Sequence, residues 1–408
     1  MYKLTFTVLL LITGLTFGQE APKFEKTGGY ARVLSLGDNP YILDLENLKT
    51  NPAYAGHYAN FFYGDFGSSI VGSPNDGNGQ YAGFNLRFNS QITVGAILAR
   101  KDFMTSSIAQ LDPGGVVGIV NGVAGAGSVT PLDNNFQILG SYALNNSWTL
   151  GLGLAFASTN QTATPAGGVK SEGSASQLGL NLGAIGKLGS GLDLDVDFSL
   201  IMPSASFDAG GGAAKIEASN TMMMINARAF YKATSKFTYV PVVSFMTSSG
   251  SSTNAAGVSA DLPSSTNFAI GFGLHYQVGD VMFAGGPALG ITSTTTPSTA
   301  AAPELSNSTF TFPGWNLGLE WTLTDWLVGR LGYTANTTSW TWENAATATT
   351  KDEQTGNAFG NDLRAGLGFK FGKFQLHATI AEQVLFDGLK NIANGSETFG
   401  YISAHYEF

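Results

Sequence analysis

The chain contains no cysteine. That excludes a lipid-bearing N-terminal cysteine, disulfide staples and any thiolate metal site. Charge is scarce as well: Asp, Glu, Lys and Arg together make up 12% of residues, about half the share usual in globular domains. The balance is acidic, with a formal net charge of −9, so a nucleic-acid backbone is a poor partner. Beyond the first two dozen residues there is no apolar run near the ~20 residues that a helix needs to cross a bilayer. The four histidines, His57, His275, His377 and His405, lie in neither an HExxH pattern nor a nucleophile elbow. Phosphate-binding and calcium-loop spacings are missing too, and Ser73-Pro74-Asn75-Asp76-Gly77 reads as a hairpin loop. No catalytic residue, metal or cofactor is expected.

What remains is glycine (53 residues) and aromatics, with Phe alone at 28. High glycine, many aromatics, little charge and no helical span together describe a transmembrane β-barrel, whose strands need only alternate. The N-terminus carries the anatomy of a secretory leader: Lys3, an apolar stretch from Leu4 to Leu15, then Thr16, Gly18 and Gln19. Cleavage is expected after Gly18. From Asn60 onward the chain breaks into period-two segments. In Leu192-Asp193-Leu194-Asp195-Val196-Asp197-Phe198-Ser199-Leu200, aliphatic and acidic residues take opposite faces. Trp148, Leu150, Leu152, Leu154 and Phe156 alternate with small residues; so do Phe268, Ile270, Phe272, Leu274 and Tyr276.

The connections alternate in length. Short turns fall near 89–90, 145–146, 189–191, 233–235, 279–280, 324–325 and 372–373. Between them lie polar or Gly/Ser/Thr-rich stretches near 70–78, 101–133, 159–172, 203–215, 248–263, 293–307, 339–358 and 384–397. Tight turns facing the periplasm and long loops facing outside are the signature of an outer-membrane barrel, here an all-β antiparallel one of about sixteen strands, or fourteen if one weak hairpin is loop. The last segment, Tyr401 to Phe408, ends in an alternating aromatic strand with Tyr406 and the terminal Phe408 on one face. This resembles the C-terminal signal that the barrel-assembly machinery reads.

Opposite the greasy stripes lie the few charges: Arg87, Asp193, Asp195, Asp197, Arg228, Glu320, Arg330, Arg364, Lys370 and His377. Charge on a lipid face costs a few kcal/mol at mid-membrane, so these side chains are expected in the lumen. Glu320 and Arg330 flank the turn at 324–325 equally and should pair across strands. Such charges form either a selective constriction or a structural network that holds a plug. Small inward positions at Gly151, Gly153, Gly179, Gly183, Gly271, Gly273, Gly366 and Gly368 suggest close approach of another backbone. The loop at 101–133 is unusually apolar, with Met104, Ile108, Leu111, Val116, Val117, Ile119, Val120 and Val123. It could line the way in for a hydrophobic ligand, fold inward, or meet a partner.

Residues 19–57 do not read as wall strand, and are expected to plug the barrel or pack beneath it. Residues 1–18 would then be leader and 58–408 barrel. A Gly28-Gly29 stretch, the acidic Asp44-Leu45-Glu46-Asn47, and Asn51-Pro52-Ala53 just before the first strand resemble the start of FadL/TodX-type barrels, and of the PorV/PorQ-like barrels of Bacteroidota. The former implies an N-terminal hatch in a barrel that takes up hydrophobic compounds. The latter implies a platform for protein secretion and surface attachment, with partner proteins. On the residues alone, Asn51-Pro52 is also an ordinary turn initiator. The favoured reading is an outer-membrane barrel, embedded in lipid, passing a small hydrophobic molecule.

Overall fold

A computed structural model describes residues 26–66, 80–100, 107–166, 168–189, 191–298, 303–345, 351–380 and 399–408. The expected leader, the 73–77 hairpin loop and the 384–397 loop lie outside the described residues. The wall begins with β1 (Phe61–Phe66), β2 (Tyr81–Arg87), β3 (Ile92–Arg100), β4 (Asn134–Ala143), β5 (Trp148–Ala163), β6 (Ser171–Lys187), β7 (Leu192–Asp208), β8 (Ile216–Lys232) and β9 (Phe237–Thr253). A three-residue β10 (Ser259–Asp261) folds back on the end of β9. The wall continues with β11 (Ser264–Val278), β12 (Val281–Thr296), β13 (Leu305–Thr324), β14 (Leu327–Ala345), β15 (Lys351–Phe371), β16 (Phe374–Ile380) and β17 (Phe399–Glu407). Of the seventeen strands among the described residues β10 lies outside the cycle, so sixteen make the wall. Every wall pair is antiparallel, and β17 closes on β1 with Phe61 opposite Glu407 and Gly64 opposite Ala404.

Alternation decides which way each strand faces. On β5, Leu150, Leu152, Leu154 and Phe156 are exposed, whereas Ala155 and Ala157 are buried. The exposed set faces lipid, where an apolar band lowers rather than raises the free energy. Tight turns form because one side chain can cap both following amides. Asn89 Oδ1 accepts from Gln91 N and Ile92 N, both at 2.8 Å. Asn145 Oδ1 does the same for Ser147 N (2.8 Å) and Trp148 N (2.9 Å). At the turns near 189, 279 and 372 a glycine takes positive φ instead.

The opposite ends of the strands differ from expectation. Segments 159–172, 203–215, 248–263, 293–307 and 339–358, read as loops from their Ser/Thr content, contribute much of their length to the wall. Between β5 and β15, leaving aside β10, strands run 15–21 residues. A tilted membrane strand needs ~9–11. The excess stands clear of the bilayer on the long-loop side, where neither face meets lipid, so apolar alternation is lost while Thr and Ser still pack well on a pleated surface.

Two inserts fill the lumen. The N-terminal one holds α1 (Tyr30–Ser35), α2 (Asn47–Thr50) and a 3₁₀ turn (Pro52–Gly56), and occupies the tight-turn end. Leu45, Leu48, Tyr54, Ala55 and Tyr58 pack there against Phe61, Tyr63, Tyr81, Ile97 and Leu139 of the wall. The second insert is the loop before β4, with α3 (Val116–Ala124). It lies toward the long-loop end against β7 and β8.

Candidate functional site

The lumen is built from charges that the wall and the N-terminal insert share. Arg32, on α1, is buried. Its Nε donates to Glu320 Oε2 (2.8 Å) and its Nη2 to Glu320 Oε1 (3.1 Å), a two-pronged pair with β13. Its Nη1 donates to Asp44 Oδ2 (2.8 Å). Glu320 also accepts from Arg330 Nε at 2.6 Å, and the two are direct cross-strand partners. Two guanidinium groups thus face two carboxylates. Asp44 turns its other oxygen on the insert itself, accepting from Gly29 N (2.8 Å) and Glu46 N (3.0 Å). Gly28 is fixed by that contact: a Cβ there would lie 2.2 Å from Asp44 Oδ2.

A second node centres on Asp195 of β7. It accepts from Asn51 Nδ2 (2.6 Å), Tyr54 Oη (3.0 Å) and Arg228 Nε (2.9 Å). Arg228 Nη1 also donates to the carbonyls of Pro40 (3.3 Å) and Ile42 (3.0 Å). Asn51 caps the 3₁₀ turn, its Oδ1 accepting from Ala53 N at 3.0 Å. Asn51-Pro52-Ala53 is therefore a turn initiator that is also hooked to the wall. Further polar bonds ring the insert. Asn39 Nδ2 donates to Ala284 O (2.8 Å), Tyr41 Oη to Pro287 O (2.8 Å), Asn181 Nδ2 to Thr50 O (2.6 Å), and Asn85 Nδ2 to Tyr58 O (3.0 Å).

The third node is unbalanced. Lys49 Nζ lies 2.7 Å from Glu46 Oε2 and 3.2 Å from Asp65 Oδ2, and 3.7 Å from the centre of the Tyr81 ring. Two buried carboxyl groups share one ammonium. Burial pushes the Glu46 carboxyl up to about 8; Lys49 pulls against that shift and Asp65 adds to it. A folded pKa above the unfolded one contributes docking stability that is full below the ordinary carboxyl range and is lost as pH rises through about 8. The insert should therefore sit less tightly at about pH 9 than at about pH 6. In planar bilayers, closed times should shorten over that interval, and Glu46→Gln should flatten the dependence.

Wall glycines mark where the inserts touch. A Cβ on Gly151 would lie 2.1 Å from Ala53 N; one on Gly183, 1.9 Å from Asn51 Oδ1; ones on Gly271 and Gly273, 2.4 and 2.2 Å from Tyr41 atoms; one on Gly366, 2.4 Å from Ser35 Cβ. Gly153 and Gly179 instead approach Ile108 of the second insert, at 3.4 and 2.7 Å, while Gly368 makes room for Arg330.

That second insert is apolar inside. Ile108 packs with Ala155, Ile201 and Met224, flanked by Met222 and Met246. Val116, Val117, Val120, Val129 and Leu132 pack on Ala157, Ala175, Ala205, Ile216 and Ala218. Polar bonds pin its edges: Asp112 accepts from Val116 N (2.8 Å), and Asn220 Nδ2 donates to Pro113 O (2.8 Å). At the tight-turn end a cavity of about 360 Å³ lies between the N-terminal insert and the wall, lined among others by Ile42, Leu43, Met282, Lys236 and Glu320.

No protein-family model matches the chain, and no curated protein matches it. Among solved structures it is similar to the toluene transporter TodX of Pseudomonas putida, at 11% identity and TM-score 0.39 over 94% of this chain and 99% of that one. It is similar to a FadL homologue of Pseudomonas aeruginosa, at 12% and 0.41 over 96% and 100%. A third is the FrpB iron transporter of Neisseria meningitidis, at 9% and 0.38 over 83% and 70%.

Of the charges singled out in the sequence, Asp195, Arg228, Glu320 and Arg330 meet the N-terminal insert directly or through one partner. Asp197 is buried beside them, accepting from Asn226 Nδ2 at 2.8 Å. Arg87, at the rim, donates to Gly56 O (3.0 Å). Asp193 lines a smaller cavity at the tight-turn end. Arg364 pairs with its neighbour Asp362 at 2.5 Å, away from the nodes. Tyr406 and Phe408 are exposed on the lipid side. Arg32, Lys49 and Asp65 lie outside the set that the sequence marks, and Asp44 enters it only within the acidic stretch Asp44-Leu45-Glu46-Asn47. The parity of Asp65 on β1 and the rarity of charge in this chain were the signals available for them.

Proposed function

We propose that this barrel takes up a small hydrophobic molecule across the outer membrane. The observation that carries the reading is the apolar packing of the second insert on the wall, where Ile108, Val116, Val117 and Val120 are buried against Ala155, Ala157, Ile201 and Met224. Barrel interiors are ordinarily polar, so an apolar seam inside the lumen, opened by a shift of the second insert, would suit an apolar guest. The guest enters from the long-loop side along the second insert, and displacement of the N-terminal insert lets it leave.

The test is binding of a lipophilic fluorophore to the purified protein, with uptake measured in cells. Ile108→Asp should lower both about tenfold, since an unpaired carboxylate in that cluster costs more than 1.4 kcal/mol. Unchanged binding and uptake in that variant would remove the reading.

The closed ring of polar bonds between N-terminal insert and wall favours a second reading, a sealed platform whose long loops hold partner proteins. Single-channel recordings separate the two. A transporter is closed when intact and conducts once residues 26–57 are deleted. A barrel still closed after the deletion has no hatch there, and one already open when intact is a general porin.

A further inference from the structure

We propose that the outer mouth of the lumen carries a binding site for uncharged saccharide rings, centred on Trp340 and Trp342. These residues are two apart on β14, hence on one face. β14 runs against β15 without a register shift from Leu327 to Ala345. The two tryptophans therefore share the face of buried, lumen-side Arg330, opposite the lipid-exposed Leu331 and Tyr333. On β13 the irregularity between Thr311 and Gly314 switches parity, so Asn307 and Thr309 join the lumen face, opposite Trp342 and Trp340 respectively. Gln354 of β15 lies across from Trp342.

Together Asn307, Thr309, Thr338, Trp340, Trp342 and Gln354 line a cavity of about 390 Å³, within the ~300–1,000 Å³ range of small-molecule sites. Trp340 packs over Gly356, where a Cβ would fall 2.4 Å from its Cζ2, so the indole is held flat against the neighbouring strand.

The usual reason for tryptophan in such a barrel is the interfacial belt. Trp315, Trp321 and Trp326 are exposed as that role requires, but Trp340 and Trp342 point the other way. The site offers two indoles, two carboxamides and two hydroxyls, and none of its six lining residues is charged. An ionic guest finds no counter-ion among them, and a pure hydrocarbon would bury amides without partners, which costs affinity. A pyranose satisfies both halves, laying its C–H face on an indole and giving its hydroxyls to the amides. The ring can belong to a free oligosaccharide or to the glycan of a surface lipopolysaccharide.

The experiment uses the full chain in a detergent without a sugar headgroup. Glucose oligomers with α-1,4, β-1,4 and β-1,3 linkages, and separately purified lipopolysaccharide, are titrated while tryptophan emission and heat are recorded. Saturable binding is expected with at least one of the four. Soluble oligomers alone point to the free source, and lipopolysaccharide alone to the surface glycan. Affinity should fall about tenfold in Trp340→Ala and in Trp342→Ala, less in Trp342→Phe, and not at all in the lipid-side control Trp321→Ala. If the alanine variants do not assemble, Gln354→Ala and Asn307→Ala serve in their place, with a drop of about fivefold expected in each. Absence of binding to all four probes, or affinity untouched by every substitution at the site, overturns the proposal.

Discussion

Arg32→Ala is expected to unlatch the N-terminal insert and turn a closed barrel into a conducting one. Arg32 is 4% exposed and reaches three partners: both oxygens of Glu320, Asp44 Oδ2 and the Leu43 carbonyl at 3.1 Å. Removing it leaves Asp44 with no guanidinium in a buried site, and Glu320 with Arg330 alone. Truncating one partner of a buried ion pair costs about 3–5 kcal/mol, chiefly because the surviving charge is stranded. Little in the wall itself depends on Arg32, so the loss falls on docking of the insert and not on closure of the barrel. Arg32→Lys should recover only part, because an ammonium cannot fork onto a carboxylate. The double variant Arg32→Met, Glu320→Gln removes charge on both sides and should be milder than the two single losses combined. Bilayer conductance and protease access to residues 30–57 check this. An Arg32→Ala barrel as closed and as resistant as the parent would show that the insert is held elsewhere.

Why was the wall so much easier to read than the lumen? The facing of each side chain follows from period-two alternation, and lipid on one side makes that alternation strict: Leu150 to Phe156 and Leu192 to Leu200 each show unaided which residues face outward. Turn positions followed from local chemistry, since Asn89 and Asn145 satisfy amides two and three residues on. The strand ends run past the sequence expectation because above the membrane no lipid enforces the pattern, and Ser/Thr-rich strands such as the ends of β9 and β12 look like loops. The inward charges were placed by the same parity argument, and Glu320 with Arg330 even by register. Their third partner was out of reach. Arg32 lies 288 residues from Glu320, on a six-residue helix with no periodicity to orient it. The apolar loop at 101–133 was recognisable as unusual, but its direction depends on small inward residues of β5 to β8, namely Ala155, Ala157, Ala175, Ala205 and Ala218. Their significance appears only once something fills the space they leave.

Gly151→Ala is expected to act in opposite directions on wall and insert. In a strand interior glycine costs roughly 0.5–1 kcal/mol relative to alanine through its extra freedom in the unfolded chain. Gly151 has no left-handed φ to protect, so the wall alone should gain from alanine. The obstacle is the insert: the new Cβ would sit 2.1 Å from Ala53 N, 2.4 Å from Pro52 C and 2.7 Å from Ala53 Cα. These are backbone atoms of a capped turn, not the end of a flexible side chain, so relief requires the whole 3₁₀ turn to retreat. Forced overpacking of this kind costs about 1–3 kcal/mol or more, and retreat also stretches the Asn51 and Tyr54 bonds to Asp195. Gly153→Ala is the control on the same strand and face. Its Cβ would come no closer than 3.3 Å, to side-chain atoms of Asn181 and Gln137, so it should leave the insert seated. Thermal unfolding of the barrel should therefore be unchanged or raised in both variants, while channel opening and protease access to residues 30–57 rise in Gly151→Ala alone. Equal behaviour of the two would mean that wall glycines in this lumen are not the seats of the insert.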